Sequence, residues 1–163
     1  MFNQFLKIQL TKTGRGLFTS VDIPADTPII EITGDVLIYE NLPDANDQVI
    51  TQVGPNIYIG RSGTIDDAIA HSCSPNCLLH CVGNRAILYS MYFIKAGSEI
   101  TFDYSASSNE SKESWAMHCK CGESNCRKII SGFQYLDSKM QEEYKQNGMA
   151  AFYLTYPIIM NRE

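Results

Sequence analysis

Apolar and polar positions alternate in short runs along this chain, and turn residues break the runs every few positions. Phe5-Leu6-Lys7-Ile8-Gln9-Leu10 alternates as a half-buried strand does. Further strands are predicted at 16–20, 28–32, 36–39, 48–53, 56–60, 77–82 and 85–93, all rich in Val, Ile, Tyr or Phe. Gly34-Asp35, Val53-Gly54-Pro55 and Val82-Gly83-Asn84 supply turns between them. Many short strands at this spacing predict a mainly β fold of several small sheets. Two stretches, Ile23 to Ile29 and Ile94 to Ile100, share the frame I-x-A-x-x-x-I and are predicted to be turns that each feed a strand.

One helix is predicted over 139–147. Ser138 and Gln141 fit a capping box, Met140 and Tyr144 share a face, and Gly148 marks the stop. The apolar stretch 149–159 is expected to pack back on the body, and Pro157 argues against one long helix there. The segment 104–114 is polar, with five serines, and is expected to be a mobile loop.

A length of 163 residues and an apolar fraction of 44% predict one domain able to bury a proper core without disulfides. No apolar run is long enough to cross a bilayer, and Met1-Phe2-Asn3-Gln4-Phe5 lacks the charged start and apolar stretch of a signal peptide. The expectation is a soluble intracellular protein, cytoplasmic or nuclear, with export lacking a cleaved signal left open. The net charge is −5, and the 13 Lys and Arg form no basic stripe. Neither a nucleic-acid nor a membrane partner is therefore expected. The acidic balance serves solubility, and it would also suit a lysine-rich protein partner.

Six cysteines without a signal peptide read as metal ligands or buried thiols rather than disulfides. Cys119 and Cys121 stand two apart, with Cys126 further on and Gly122 to turn the chain. A tetrahedral zinc site needs four ligands. The fourth would come from Cys73, Cys77, Cys81, His118 or His80. Cys77 and Cys81, four apart on a predicted strand, share a face and read as core thiols. Gly14-Arg15-Gly16-Leu17 follows a strand, and its glycines allow close backbone approach to a ligand. It lacks the spacing of a dinucleotide fingerprint.

The ordered set HSCSPNC at 71–77, TFDY at 101–104 and CKCGESNCR at 119–127 resembles the SET-domain family of S-adenosylmethionine-dependent protein lysine methyltransferases, with its post-SET cysteine segment. The resemblance covers roughly residues 5–132. It implies a β-clip fold with a threaded, knot-like crossing, which Asn76 would pin. It divides the chain into a SET domain over 1–114, a post-SET zinc segment over 115–132, and a helix and tail over 133–163 on the same domain. It makes Cys73 the fourth thiolate beside Cys119, Cys121 and Cys126. Four thiolates leave no open position on the metal, which disfavours metal-dependent hydrolysis. The resemblance assigns cofactor contacts to Gly14, Arg15, Gly16, Leu17, Ala70, His71 and Lys120. Tyr104 would orient the substrate amine in a dry channel, and Phe102 would govern how many methyl groups fit. His71 has no carboxylate paired to it by motif and is not proposed as a base.

Three departures stand out. Ala70 replaces the asparagine that usually precedes the histidine, and Asp66-Asp67-Ala68-Ile69 lacks the usual Arg-Phe. Ile32 lies in the stretch where many members carry a second channel tyrosine, a role Tyr58 could take from another strand. The reading is methyl transfer to a lysine of a protein substrate. Its alternative is a catalytically silent SET-fold protein that binds a peptide or partner, for which Ala70 is the argument.

Overall fold

The structure, a computed structural model, describes residues 1–44 and 47–155. Its strands are β1 (Leu6–Thr11), β2 (Gly14–Thr19), β3 (Pro28–Ile32), β4 (Val36–Leu37), β5 (Thr51–Gly54) and β6 (Ile57–Ile59) in the first half. The second half adds β7 (Ala70–His71), β8 (Cys77–Val82), β9 (Arg85–Ser90), β10 (Thr101–Phe102), β11 (Ala116–His118) and β12 (Ile129–Ser131). They assemble as the hairpin β1-β2, the sheets β3-β9-β8 and β4-β6-β5, the pair β11-β12 and the parallel pair β10-β7. This is the expected mainly β architecture of small sheets. No helix among the described residues is long and apolar enough to cross a membrane.

Strands whose apolar positions face the core stand where the pattern put them, β3 and β8 to the residue. A strand after Ile100 was expected from the turn that feeds it, whereas β7, β11 and β12 were not predicted as strands. Each is two or three residues long, and partners distant in sequence impose its extended form. The alternation in β1 misleads in another way. Leu6 is buried, whereas Ile8 is 37% and Leu10 is 87% exposed. β1 pairs only with β2, at the edge of a two-stranded sheet.

The repeated I-x-A-x-x-x-I frame has a structural meaning. Ile23 and Ile94 pair with each other in an isolated antiparallel bridge, each N–H donating to the other's carbonyl at 2.8 Å. Three residues after each isoleucine the chain enters the left-handed region, at Asp26 (φ 54°) and Gly97 (φ 86°). The first turn feeds β3 and the second feeds β10. Leu17, Ile23, Ile29, Ile30, Leu88 and Ile100 are fully buried around this seam. Each such side chain contributes roughly 1.5–3 kcal/mol relative to exposure. Cys77 and Cys81 belong to the same core, as their shared strand face predicts.

Residues 99–104 cross the segment 70–77, and Asn76 ties the crossing. Its side-chain amide donates to the Glu99 carbonyl at 2.7 Å and accepts from the Thr101 N–H at 2.9 Å.

The helix α1 (Ser138–Gln146) starts one residue earlier than predicted. Its cap is Asp137, whose carboxylate accepts from the Met140 N–H at 2.9 Å. Ser138 is inside the first turn, and Gln141 turns back to donate to the Leu136 carbonyl at 2.8 Å. Gly148 closes the helix with φ 67°. The next N–H, of Met149, returns to the Tyr144 carbonyl at 2.9 Å, as in a Schellman motif. The short α2 (Phe152–Thr155) packs inward through Tyr153, so the described part of the tail folds back. Pro157 and the rest of 156–163 lie outside the described residues.

Residues 104–108 contradict the expected mobile loop. Ser105, Ala106, Ser107 and Ser108 are buried. The Ser105 hydroxyl donates to the Ser131 carbonyl at 2.6 Å, and the Phe133 N–H donates to the Ser108 carbonyl at 2.7 Å. Short hydroxyl side chains can bond backbone groups where regular structure is absent. Here they fasten the segment that polar composition alone marked as free.

Candidate functional site

Cys73 follows β7, Cys119 follows β11, and Cys121 and Cys126 flank the turn at Gly122 (φ 81°). Their four sulfur atoms lie within 4.8 Å of one another. Cys73 Sγ and Cys119 Sγ are 3.8 Å apart. A tetrahedron with zinc–sulfur bonds of ~2.3 Å has edges of about 3.8 Å. The donor set therefore fits a tetrahedral soft cation, and all six cysteines are free thiols. Supporting groups surround it. The Arg127 N–H points at Cys73 Sγ at 3.4 Å, and Asn125 donates to the Cys73 carbonyl at 3.0 Å. Burial opposes ionisation of Cys121, but backbone N–H groups and neighbouring thiols outweigh it and bring the thiol down to about 7. Cys77 and Cys81 stand apart in the core, where burial pushes both up to about 12.

Asp103 joins this cluster to the rest of the fold. Its side chain is fully buried. It accepts from both terminal nitrogens of Arg127 at 2.5 and 2.6 Å, from the Tyr144 hydroxyl at 2.7 Å and from the Ser105 N–H at 3.0 Å. A carboxylate offers about four acceptor positions, so these four donors fill it. Nothing in the residue pattern singles out Asp103 and Arg127. Their signal was adjacency, to Tyr104 and Cys126, and not spacing.

A cavity, a groove and a narrow hollow lie beside this cluster. The cavity has a volume of about 310 Å³ and is lined by Arg15, Asp67, Ala70, His71, Tyr104 and Lys120 among others. A neighbouring groove of about 600 Å³ shares Ala70, His71 and Lys120 and extends to Asn76 and Glu99. The narrow hollow, of about 40 Å³, has walls formed by Tyr39, Tyr58, Phe102, Tyr104, Glu110 and Trp115. Tyr104 lines both the narrow hollow and the 310 Å³ cavity. Phe102 packs against it with ring centroids 4.9 Å apart.

The residues assigned to cofactor contacts divide into two groups. Arg15, Ala70, His71 and Lys120 line the 310 Å³ cavity, and Gly14, Gly16 and Leu17 do not. The Leu17 side chain is fully buried in the core. At Gly16 an added Cβ would sit 2.1 Å from the Glu99 carboxylate, so this glycine makes room for a neighbouring side chain. Tyr58, named as the replacement for a missing tyrosine, does line the narrow hollow. Glu110 and Trp115 were missed because the one lies within, and the other directly after, a polar stretch that carried no periodic signal.

Hydrogen bonds fix the orientation of Tyr104. Its hydroxyl donates to the Ile69 carbonyl at 2.7 Å, and its N–H donates to His71 Nδ1 at 3.2 Å. Burial lowers the His71 imidazole to about 4. The ring is thus neutral at pH 7, with Nδ1 free to accept and Nε2, 3.4 Å from Cys73 Sγ, carrying the proton. Burial pushes the Tyr104 phenol well above its ordinary range, so it remains a donor. A cavity on one side of a phenol and a narrow aromatic hollow on the other can hold two molecules whose ends meet at that phenol.

The SET domain family model matches residues 14–105. The chain is 32% identical over 133 residues to histone-lysine N-methyltransferase trr of Drosophila melanogaster, covering 72% of this chain and 5% of that protein. It is 28% identical over 167 residues to histone-lysine N-methyltransferase ASHH2 of Arabidopsis thaliana, covering 88% of this chain and 9% of that one. The chain thus spans a small fraction of the length of these curated relatives. Among solved structures it resembles KRYPTONITE in complex with mCHH DNA, an H3(1-15) peptide and SAH. That match has a TM-score of 0.65 and 25% identity, and covers 77% of this chain and 29% of that one.

Proposed function

Because the chain belongs to the SET domain family, we propose that it transfers a methyl group from S-adenosylmethionine to a lysine side chain of a protein substrate. The observation that carries this reading is Tyr104, shared between the 310 Å³ cavity and the narrow aromatic hollow. SAH in a structural neighbour supports the cofactor, and the histone substrates in the relatives' names support a lysine in a basic protein segment. A net charge of −5 is complementary to such a segment. This substrate class goes with an intracellular protein.

S-adenosylmethionine supplies, when bound, a methyl group carried on a sulfonium. The chain's residues do the rest. Arg15, Lys120 and the backbone at Ala70 and His71 hold the cofactor in the 310 Å³ cavity. Phe102, Tyr58 and Trp115 exclude water from the lysine. Desolvation favours the neutral amine that can attack. Tyr104 orients that amine, and the Ile69 carbonyl holds the phenol in place. On this reading residues 1–114 form the SET domain and 133–163 an extension of it. Residues 115–132 form a zinc clamp, in which Cys73, Cys119, Cys121 and Cys126 hold a structural ion that ties the tail over the cofactor cavity.

Ala70 favours a second reading, a catalytically silent peptide binder. It offers a methyl group where relatives of this type present an amide. The test is incubation with methyl-labelled S-adenosylmethionine and a basic protein extract, with calorimetry of the cofactor alongside. Label in a substrate band that disappears with Tyr104→Phe supports methyl transfer. No cofactor binding at millimolar concentration moves the assignment to the silent binder.

A further inference from the structure

We propose that Glu110 is the specificity-determining anion of the narrow hollow, gripping the ammonium end of the substrate side chain beside Tyr58 and selecting a lysine-type cation over neutral side chains. This rests on the reading of that hollow as the lysine channel.

Glu110 is the one charged residue among the described lining residues. The other titratable groups facing the hollow are phenols: Tyr39 from the short turn after β4, Tyr58 from β6 and Tyr104 after β10. Glu40 acts on Tyr58 from just outside. The Tyr58 hydroxyl donates to Glu110 Oε1. Burial first, and the Glu110 carboxylate second, push that phenol far above its usual range, so it stays a donor to an anion. Oε2 has no hydrogen-bond partner among the described residues, which leaves acceptor capacity for a ligand.

The backbone beneath the carboxylate is held in place. The Glu110 N–H donates to Ser108 Oγ at 3.2 Å, and the Glu110 main-chain carbonyl accepts from the Gln134 side-chain amide at 2.8 Å. Asn109, its neighbour, exchanges two hydrogen bonds with Gln52 of β5 at 2.6 and 2.9 Å. Gly132 makes the approach feasible, since a Cβ there would lie 2.3 Å from the Glu110 carbonyl. Aromatic faces around an anion form a cation-selective lining. Tyr39 and Tyr58 stand with ring centroids 6.3 Å apart, and buried Trp115 adds another wall.

The charge acts on two steps with opposite sign. It favours binding of the protonated amine, and it opposes the deprotonation that attack requires. Glu110→Gln therefore raises KM for a lysine peptide about tenfold to a hundredfold, the size of a lost charge-assisted hydrogen bond. It also moves the acidic limb of the kcat–pH profile to lower pH. Tyr58→Phe, which keeps the anion, gives a smaller KM effect.

The experiment measures peptide binding by calorimetry in the presence of S-adenosylhomocysteine, using a lysine peptide and its norleucine counterpart, with steady-state rates across pH. Wild-type protein is expected to prefer lysine. Glu110→Gln is expected to lose that preference while melting at the wild-type temperature, with Glu110→Asp restoring part of it. A Glu110→Gln protein with wild-type preference, KM and pH limb overturns the role of Glu110 and leaves the channel reading intact. A wild-type protein that binds neither peptide overturns both.

Discussion

Replacing Arg127 with methionine removes the guanidinium from Asp103 while keeping a long side chain beside Met140. The aspartate is then left fully buried with the Tyr144 hydroxyl and Ser105 N–H as its remaining donors. Breaking a buried pair from one side costs about 3–5 kcal/mol. Arg127 keeps 16% of its side chain exposed, which places the effect at the lower end, about 3 kcal/mol. For a domain of this size that is a fall in Tm of roughly 6–12 °C. Asp103→Asn strands Arg127 instead and should cost about as much. The double variant removes both charges, so its cost should stay near 3 kcal/mol rather than double, a coupling of about 3 kcal/mol. Urea unfolding at fixed zinc concentration reads all four proteins. Single variants within 0.5 kcal/mol of wild type, or a strictly additive double variant, would refute the assignment of Asp103 as the joint between β core, metal segment and helix.

Other outcomes follow from the same geometry. Cys121→Ser, or chelation of the wild type, should speed hydrogen exchange in β11 and β12 while β8 and β9 keep their protection; simultaneous loss in all four strands would contradict a local clamp. Burial alone would lift Asp66, but hydrogen bonds from Thr64, Thr33 and Ser62 outweigh it and hold the carboxyl below its ordinary value. A depressed carboxyl contributes stability that is complete above the unfolded value of ~3.9 and is lost as pH falls through the folded value. Asp66→Asn should flatten that acid limb in pH-dependent melts, and an unchanged limb would contradict it. Ala70→Asn should tighten cofactor binding by about tenfold in calorimetry, the size of one added polar contact; unchanged affinity would mean the amide finds no partner there.

The parts of this architecture legible in the chain are those where local chemistry and tertiary packing agree. β3 and β8 read correctly because Ile29, Ile30 and Ile32 of the one and Cys77, Leu79 and Cys81 of the other face a real core. Gly148 read as a helix stop because its conformation is one that glycine favours. The convergence of Cys73 with three tail sulfurs was not local information, and it entered only through the resemblance. What stayed hidden is set by partners far away in sequence. Ile8 and Leu10 look inward by alternation, yet β1 lies at a sheet edge. Ser105 to Ser108 look free by composition, yet their hydroxyls and carbonyls are taken by neighbouring segments. Asp103 and Glu110 look like surface acids until Arg127, Tyr144 and Tyr58 are brought to them. The shared frame at Ile23 and Ile94 was visible as a repeat, but its pairing into one seam was not.

The central claim is that a phenol aligns the reacting amine at the meeting point of two cavities. Its most direct measurement is single-turnover methyl transfer from labelled S-adenosylmethionine to a lysine peptide, comparing wild type with Tyr104→Phe, with S-adenosylhomocysteine affinity measured on both. The rate should fall by about a hundredfold, the effect of losing alignment of the attacking group, with cofactor affinity unchanged. Equal rates in the two proteins would contradict the claim.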